Sequence, residues 1–282
     1  MAEEFTVDYK LNKGFDSLVA LNIAIEGPGA ALMVGSALMN YSWGVMAGLA
    51  LVMLGVTFLF FHLGNRFKFW RVITGFKRAW ISRGALFASG LMFFGILYFF
   101  YNDGVLGLVI QAGIIIFGLL TILYSGFLLS SMAAIPFWNT PLTPILFLLH
   151  STTTGLAILI FLLAKSAGEN PGSGILGLML GLIGITLSFT IIHIMVMATS
   201  INAARESVRL LMNTGLRWSF IGGAVALGML APLFIYIYIY FNNGQPLQSL
   251  MILVSVAMVL RVIGDYAFRS SVLNAGVFEM MI

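Results

Sequence analysis

Apolar residues run along this chain in long blocks separated by short polar breaks. Eight blocks stand near positions 17–40, 44–63, 84–101, 104–130, 142–164, 173–199, 217–241 and 247–268. Each is about 20 residues or longer, enough at about 1.5 Å per residue to cross a hydrocarbon core of roughly 30 Å as an α-helix whose backbone hydrogen bonds are all internal. The strict alternation of barrel strands is missing. Turn signals fill the breaks: Tyr101-Asn-Asp-Gly, Ile135-Pro-Phe-Trp-Asn-Thr-Pro, Ala167-Gly-Glu-Asn-Pro-Gly and Asn242-Asn-Gly-Gln-Pro. The pattern predicts an all-α, polytopic membrane bundle of about eight transmembrane helices. It forms a single integral membrane domain over 1–282, with no internal repeat and no segment large enough for a soluble domain.

Composition sharpens this. Of the 282 residues 60% are hydrophobic and 9% charged, against roughly 25% charged in soluble globular chains, so a soluble fold is excluded. The opening MAEEFTVDYKLNKGFDS is polar and acidic, without the basic region and cleavage signal of a removable leader, so the first helix is expected to be retained. Charge then orients the bundle. Lys10, Lys13, Arg66, Lys68, Arg71, Lys77, Arg78, Arg83, Arg205, Arg209, Arg217 and Arg269 fall on the side shared by the termini and the second-to-third, fourth-to-fifth and sixth-to-seventh loops. Lys165 stands alone on the opposite side, and Arg261 lies inside the eighth helix. Positive residues near helix ends stay in the cytoplasm, which predicts a multi-pass protein of the cytoplasmic (inner) membrane with both termini cytoplasmic. The basic loop over 65–83 reads as topology with anionic-lipid contact, or as a docking face for an acidic partner subunit. Nothing points to nucleic acid.

The chain has no cysteine, which excludes disulfides, thiolate-bound iron–sulfur clusters and c-type haem. Any redox metal would rest on His62, His150 or His193. Ionisable groups at membrane depth are expensive unless paired or hydrated, so each is a functional candidate. They are Glu26 in the first helix, His62 at the end of the second, His150 in the fifth, His193 in the sixth, and Arg261 with Asp265 in the eighth. Helix direction and rise put these groups, with Asn22 and Tyr124, in the half of the membrane nearer the termini. Structural roles compete with this reading. Arg261 and Asp265 are spaced to neutralise each other along one helix, His150 can bond a neighbouring helix, and Glu26, followed by Gly-Pro-Gly-Ala-Ala, can be protonated at a close helix contact. Those roles leave the convergence on one face unexplained.

Three segments then resemble a known family, the NrfD, polysulfide reductase and dimethyl sulfoxide reductase group of membrane anchors. His62-Leu-Gly-Asn-Arg-Phe-Lys-Phe-Trp-Arg with Ala79-Trp-Ile-Ser-Arg-Gly is similar to the family's His-Leu-Gly and Trp-x-Ser-Arg-Glu loop. Tyr124-Ser-Gly-Phe-Leu-Leu-Ser with Ile135-Pro-Phe-Trp-Asn-Thr-Pro resembles its tyrosine-bearing fourth helix and Pro-x-Trp-Asn turn, and Gly264-Asp265 before Arg269 its Gly-Glu-x-x-x-Arg ending. The resemblance implies a quinone-binding anchor without haem or iron–sulfur cluster of its own. His62 and Tyr124 would be hydrogen-bond partners of the quinone carbonyls, Asn22 or Glu26 would line the pocket, and Arg66 and Arg71 would orient the headgroup or the partner. In one departure the family's Ser-Arg-Glu reads Ser82-Arg83-Gly84; Glu26 could supply the missing carboxylate, or the proton route could differ.

The function expected is a membrane subunit that exchanges electrons between menaquinone or ubiquinone and an iron–sulfur partner subunit. That partner would be attached to a larger catalytic subunit carrying a molybdenum or tungsten pterin, facing the cytoplasm. Glu26, Asp265 and Arg261 are the candidate proton relay, since quinone chemistry moves protons with electrons. The alternatives are a b-haem carrier ligated by His150 and His193, or a secondary transporter built on helices broken at Gly27-Pro28 and Ala231-Pro232.

Overall fold

The computed structural model describes residues 17–62, 79–166, 172–242 and 247–279. Its helices are α1 (Ser17–Leu38), α2 (Ser42–His62), α3 (Trp80–Phe100), α4 (Gly104–Ser130), α5 (Leu142–Ser166), α6 (Gly172–Ala198), α7 (Asn202–Asn213), α8 (Trp218–Phe241) and α9 (Met251–Asn274). All but α7 are long and apolar enough to cross a membrane. The all-α polytopic bundle expected from the apolar blocks is the fold found.

Two groups of four spans pack side by side. One core joins Ala30, Met33 and Ala37 of α1 to Val45 and Val52 of α2, Ala88 and Leu91 of α3, and Ile110 and Ile114 of α4. The other joins Ala157 and Ile160 of α5, Met179 and Ile183 of α6, Tyr236 of α8, and Val254 and Ala257 of α9. The α1 helix lies between them, touching α2, α4, α5 and α9, and 72% of its apolar stretch is buried, against 28% in each of α2, α3 and α6. It is the axle of the bundle.

Three details depart from the sequence expectations. The sixth-to-seventh loop expected from the apolar blocks contains the α7 helix; its buried Ala203, Ala204, Ser207, Val208 and Leu211 recur at helical spacing while Arg205 and Arg209 face outward, so it lies amphipathically against the bundle. The α3 helix begins at Trp80 rather than near 84, because Trp80 stacks on Phe127 of α4 (5.2 Å, 11°) with the Arg83 guanidinium 4.6 Å above the indole. The α9 helix continues past 268 to Asn274 because the polar residues that resemble a helix end are buried and paired.

Two local devices shape α8. Its first part, Trp218–Leu230, is π-helical and continues into the α-helical Ala231–Phe241. Where the two parts join, Pro232 has no N–H to give the preceding turn, and the nearby Gly228 carbonyl accepts from Arg261 Nη1 at 3.3 Å. At the same point α8 meets α9: a Cβ on Gly264 would lie 2.1 Å from Gly228 Cα.

Candidate functional site

Asn22 and Glu26 stand one turn apart on one face of α1. That face presses against α2 because residue 55 is glycine; a Cβ there would lie 2.8 Å from Glu26 Cβ. Asn22 Nδ2 donates to Glu26 Oε2 and to the Gly55 carbonyl, both at 2.9 Å. The Tyr124 hydroxyl, arriving from α4, donates to the same Glu26 oxygen at 2.9 Å. Asn22, Glu26 and Tyr124 are 2%, 2% and 5% exposed, so three helices deliver their polar groups to one buried carboxyl.

The carboxyl is not sealed. Glu26 forms the acidic wall of a cavity of about 320 Å³ between α2 and α3, lined otherwise by Val56, Thr57, Leu59, Phe60, Phe61, Ile81, Ala85, Ala88, Ser89 and Met92. Thr57 spends its hydroxyl on the Met53 carbonyl at 2.8 Å, leaving that wall effectively apolar. Phe60, Phe61 and Ile81 are 38%, 52% and 39% exposed on the outer, lipid-facing surface. The cavity therefore has an apolar mouth toward the hydrocarbon and a hydrogen-bonded carboxyl at its inner end, near the membrane face at which α1 begins. Its volume lies at the small end of ordinary ligand pockets, about 300–1,000 Å³.

A second polar cluster lies on the other side of α1. Asp265 Oδ2 accepts from Arg269 Nε at 3.0 Å, and Asp265 Oδ1 lies 3.4 Å from His150 Nδ1. Arg261 Nη2 is 3.1 Å from His150 Nδ1 and 3.3 Å from the His150 carbonyl. Arg269 Nη2 donates to Ser151 Oγ at 2.8 Å, and its guanidinium lies 5.0 Å over the Phe147 ring. His150, Ser151, Arg261, Asp265 and Arg269 are all 0% exposed. The intrahelical pair expected between Arg261 and Asp265 gives way to Arg269 as the partner of Asp265. Both arginines are four residues from the aspartate, and Arg261 bonds instead to the Gly228 carbonyl of α8 and to His150.

Gly27 separates the clusters. A Cβ on it would lie 2.5 Å from Ser151 Oγ and 3.6 Å from Arg269 Nη2, so one residue of α1 turns its carboxyl to the cavity and the next its bare Cα to the charge cluster. The structure thus brings Asn22, Glu26 and Tyr124 together and sets Asp265 and Arg261 apart from them. His62 closes α2 directly after the cavity residue Phe61, but its side chain, with Arg66 and Arg71, lies outside the described residues. Sequence reasoning missed Ser151 and did not place Arg269 in the membrane; the small-residue run after Glu26 was the available signal for such a close contact.

The two histidines proposed as haem ligands have other surroundings. His150 stacks on Phe268 at 3.6 Å and 11°, with Nε2 3.5 Å from Thr190 Oγ1. His193 lies 5.0 Å from the Phe137 ring, its Nδ1 buried without a hydrogen-bond partner among the described residues. No group of three or more metal-ligating side chains occurs among the described residues.

The family described as Polysulphide reductase, NrfD matches residues 37–279, a stretch that takes in α2 to α9 and begins after Asn22 and Glu26. The protein named NrfD homolog of Haemophilus influenzae is 28% identical over 155 residues, covering 46% of this chain and 48% of its own. Protein NrfD of Escherichia coli is 25% identical over 186 residues, covering 57% and 52%. The chain spans about half the length of the curated relatives it matches.

Proposed function

This chain belongs to the polysulphide reductase NrfD family, and from that premise we propose that it is the quinone-reactive membrane subunit of a respiratory oxidoreductase. The observation that carries the reading is the acidic end of a lipid-open apolar cavity: Glu26, held by Asn22 and Tyr124, walls a space of about 320 Å³ whose mouth is phenylalanine and isoleucine. A quinone, a flat ring with carbonyls and an apolar tail, suits such a space. The headgroup needs hydrogen-bonding groups at the inner end, and the tail must leave through an apolar mouth into the bilayer.

Within that space Glu26 has the chemistry to give or take the protons that accompany quinone reduction or quinol oxidation, and Tyr124 holds the carboxyl in place. The electrons leave the chain. It has no cysteine, so the reading requires an iron–sulfur subunit seated at the membrane face near the cavity, coupled to a larger catalytic subunit with a molybdenum or tungsten pterin. Exposed Arg205, Arg209 and Arg217 add positive charge around α7 and the start of α8, which favours an acidic partner surface. The charge bias of the loops supports a cytoplasmic position for that face and for both termini. Asp265 and Arg261 belong to the second cluster, so a proton route from Glu26 to them would pass Gly27 and Ser151.

A b-haem carrier is the poorer reading. The Nδ1 of His150 lies against Arg261 and Asp265, its Nε2 faces Thr190, and one ring face is covered by Phe268, which leaves no approach for a porphyrin iron.

The test uses the assembled complex and two donors, a soluble quinol analogue and a small redox dye that bypasses the membrane subunit. Glu26→Gln is expected to lower the quinol-linked rate by at least about tenfold, the loss of one charged-group hydrogen bond or proton transfer, with the dye-linked rate unchanged. Quinol kinetics equal to wild type in Glu26→Gln and Tyr124→Phe would refute the site.

A further inference from the structure

We propose that Gly84 is a positioning residue of this site: its bare Cα is the seat on which the Tyr124 ring rests, and that seat delivers the hydroxyl to Glu26. The inference rests on the quinone reading for its kinetic consequence but not for its structural one.

The α3 and α4 helices run antiparallel with a regular series of contacts. Trp80 stacks on Phe127, Gly84 faces Tyr124, Gly90 faces Phe117, and Phe94 faces Gly113. Three of these are rings laid on glycines. A Cβ on Gly84 would lie 2.3 Å from Tyr124 Cε2 and 2.4 Å from Cδ2, one on Gly90 2.4 Å from Phe117 Cδ1, and one on Gly113 2.4 Å from Phe94 Cδ1. Two of the seats hold phenylalanines and serve packing. The third holds a hydroxyl, and that hydroxyl ends 2.9 Å from the cavity's carboxyl.

The ring has no alternative position of equal use. Trp80 and Phe127 fix α3 against α4 one turn nearer the membrane face, so α3 cannot swing away to admit a side chain at 84. On the far side α1 is held against α2 at Gly55. A methyl at 84 therefore displaces the Tyr124 ring along or off the helix, and the hydroxyl with it. Position 84 also decides which helix supplies the acid. A carboxyl side chain at 84 would occupy the volume of the Tyr124 ring, so an acid on α3 and the present Tyr124–Glu26 bond exclude each other. With glycine there, the acid of the site comes from α1.

The experiment compares Gly84→Ala, Tyr124→Phe and the double variant in the assembled complex, with Gly90→Ala as control for loosened α3–α4 packing, since Gly90 meets a ring in the same way but that ring, Phe117, carries no hydroxyl to Glu26. Gly84→Ala is expected to lower the quinol-linked rate by about tenfold, as Tyr124→Phe does, and the double variant to be no slower than Tyr124→Phe alone. Gly90→Ala should leave that rate within about twofold of wild type whatever it does to thermal stability. A double variant in which the two effects multiply, or a Gly90→Ala variant as slow as Gly84→Ala, would overturn the proposal. A second readout stands apart from quinone. With 3-fluorotyrosine placed at 124, the ¹⁹F shift should change on Glu26→Gln in the Gly84 background and hardly at all in the Gly84→Ala background. If Glu26→Gln and Tyr124→Phe leave quinol kinetics intact, the quinone reading fails while this readout still decides the seat. If the ¹⁹F response survives in Gly84→Ala, the seat fails whatever the kinetics show.

Discussion

The charge cluster of α5 and α9 gives a prediction in which the order of effects is as informative as their size. Asp265 is the one carboxylate between two fully buried arginines, bonded to Arg269 at 3.0 Å and within 3.4 Å of His150. Asp265→Asn keeps the shape and removes the charge, leaving Arg261 and Arg269 without a counter-ion in the cluster. Two unit charges about 4 Å apart at an effective dielectric near 20 interact by about 4 kcal/mol, and removing one partner of a buried pair costs about 3–5 kcal/mol. Arg269→Met removes the excess cation instead, so it should cost less. The double variant Asp265→Asn/Arg269→Met returns the cluster to one net positive charge, as in wild type, and should recover about 1–2 kcal/mol of the Asp265→Asn loss. Reversible unfolding in mixed detergent, monitored by tryptophan fluorescence, measures all three. An Asp265→Asn loss below about 1 kcal/mol, or a double variant no more stable than Asp265→Asn, would show that the cluster is not held by charge balance.

Other outcomes follow from the packing. Gly264→Ala places a methyl against the Gly228 backbone, which no rotamer relieves, and should abolish recovery of monodisperse protein; Gly181→Ala, with nothing within 4 Å of the added Cβ, should be neutral in the same size-exclusion assay. Trp138→Phe removes the bond from the buried indole Nε1 to the Val272 carbonyl (2.8 Å) and should destabilise the fold by about 1 kcal/mol, read as a lower midpoint in the detergent titration. A reduced-minus-oxidised spectrum of the purified chain should lack a b-haem band; a stoichiometric band would restore the alternative with His150 and His193.

The spans were legible because lipid imposes length: an uninterrupted apolar block of about 20 residues has few other uses. What failed was legible only by a different signal. The Asn202–Asn213 helix is too polar for an apolar scan and shows itself through 3.6-residue spacing alone. The pairing of Asp265 is ambiguous in the sequence, with arginine four residues away in both directions and the apolar block ending near 268; with α9 running to Asn274, Arg269 lies within reach of Asp265 and Arg261 bonds across to the Gly228 carbonyl. Depth arithmetic did anticipate that Asn22, Glu26 and Tyr124 lie at one level. It could not show that Gly84 carries the ring between them, since that contact depends on the register of α3 against α4.

The central position of α1 bears on how the protein is made. This helix leaves the ribosome before every element that encloses it, carrying Asn22 and Glu26 into the membrane without their later neighbours. The α1–α2 hairpin offers an early shelter, through the bond from Asn22 to the Gly55 carbonyl. Tyr124, 98 residues after Glu26, arrives roughly 5–20 s later at ordinary elongation rates. During that interval the carboxyl must stay protonated, remain near the headgroups, or be covered by the insertion machinery. The carboxyl that walls the cavity is therefore also the chief hazard of biogenesis.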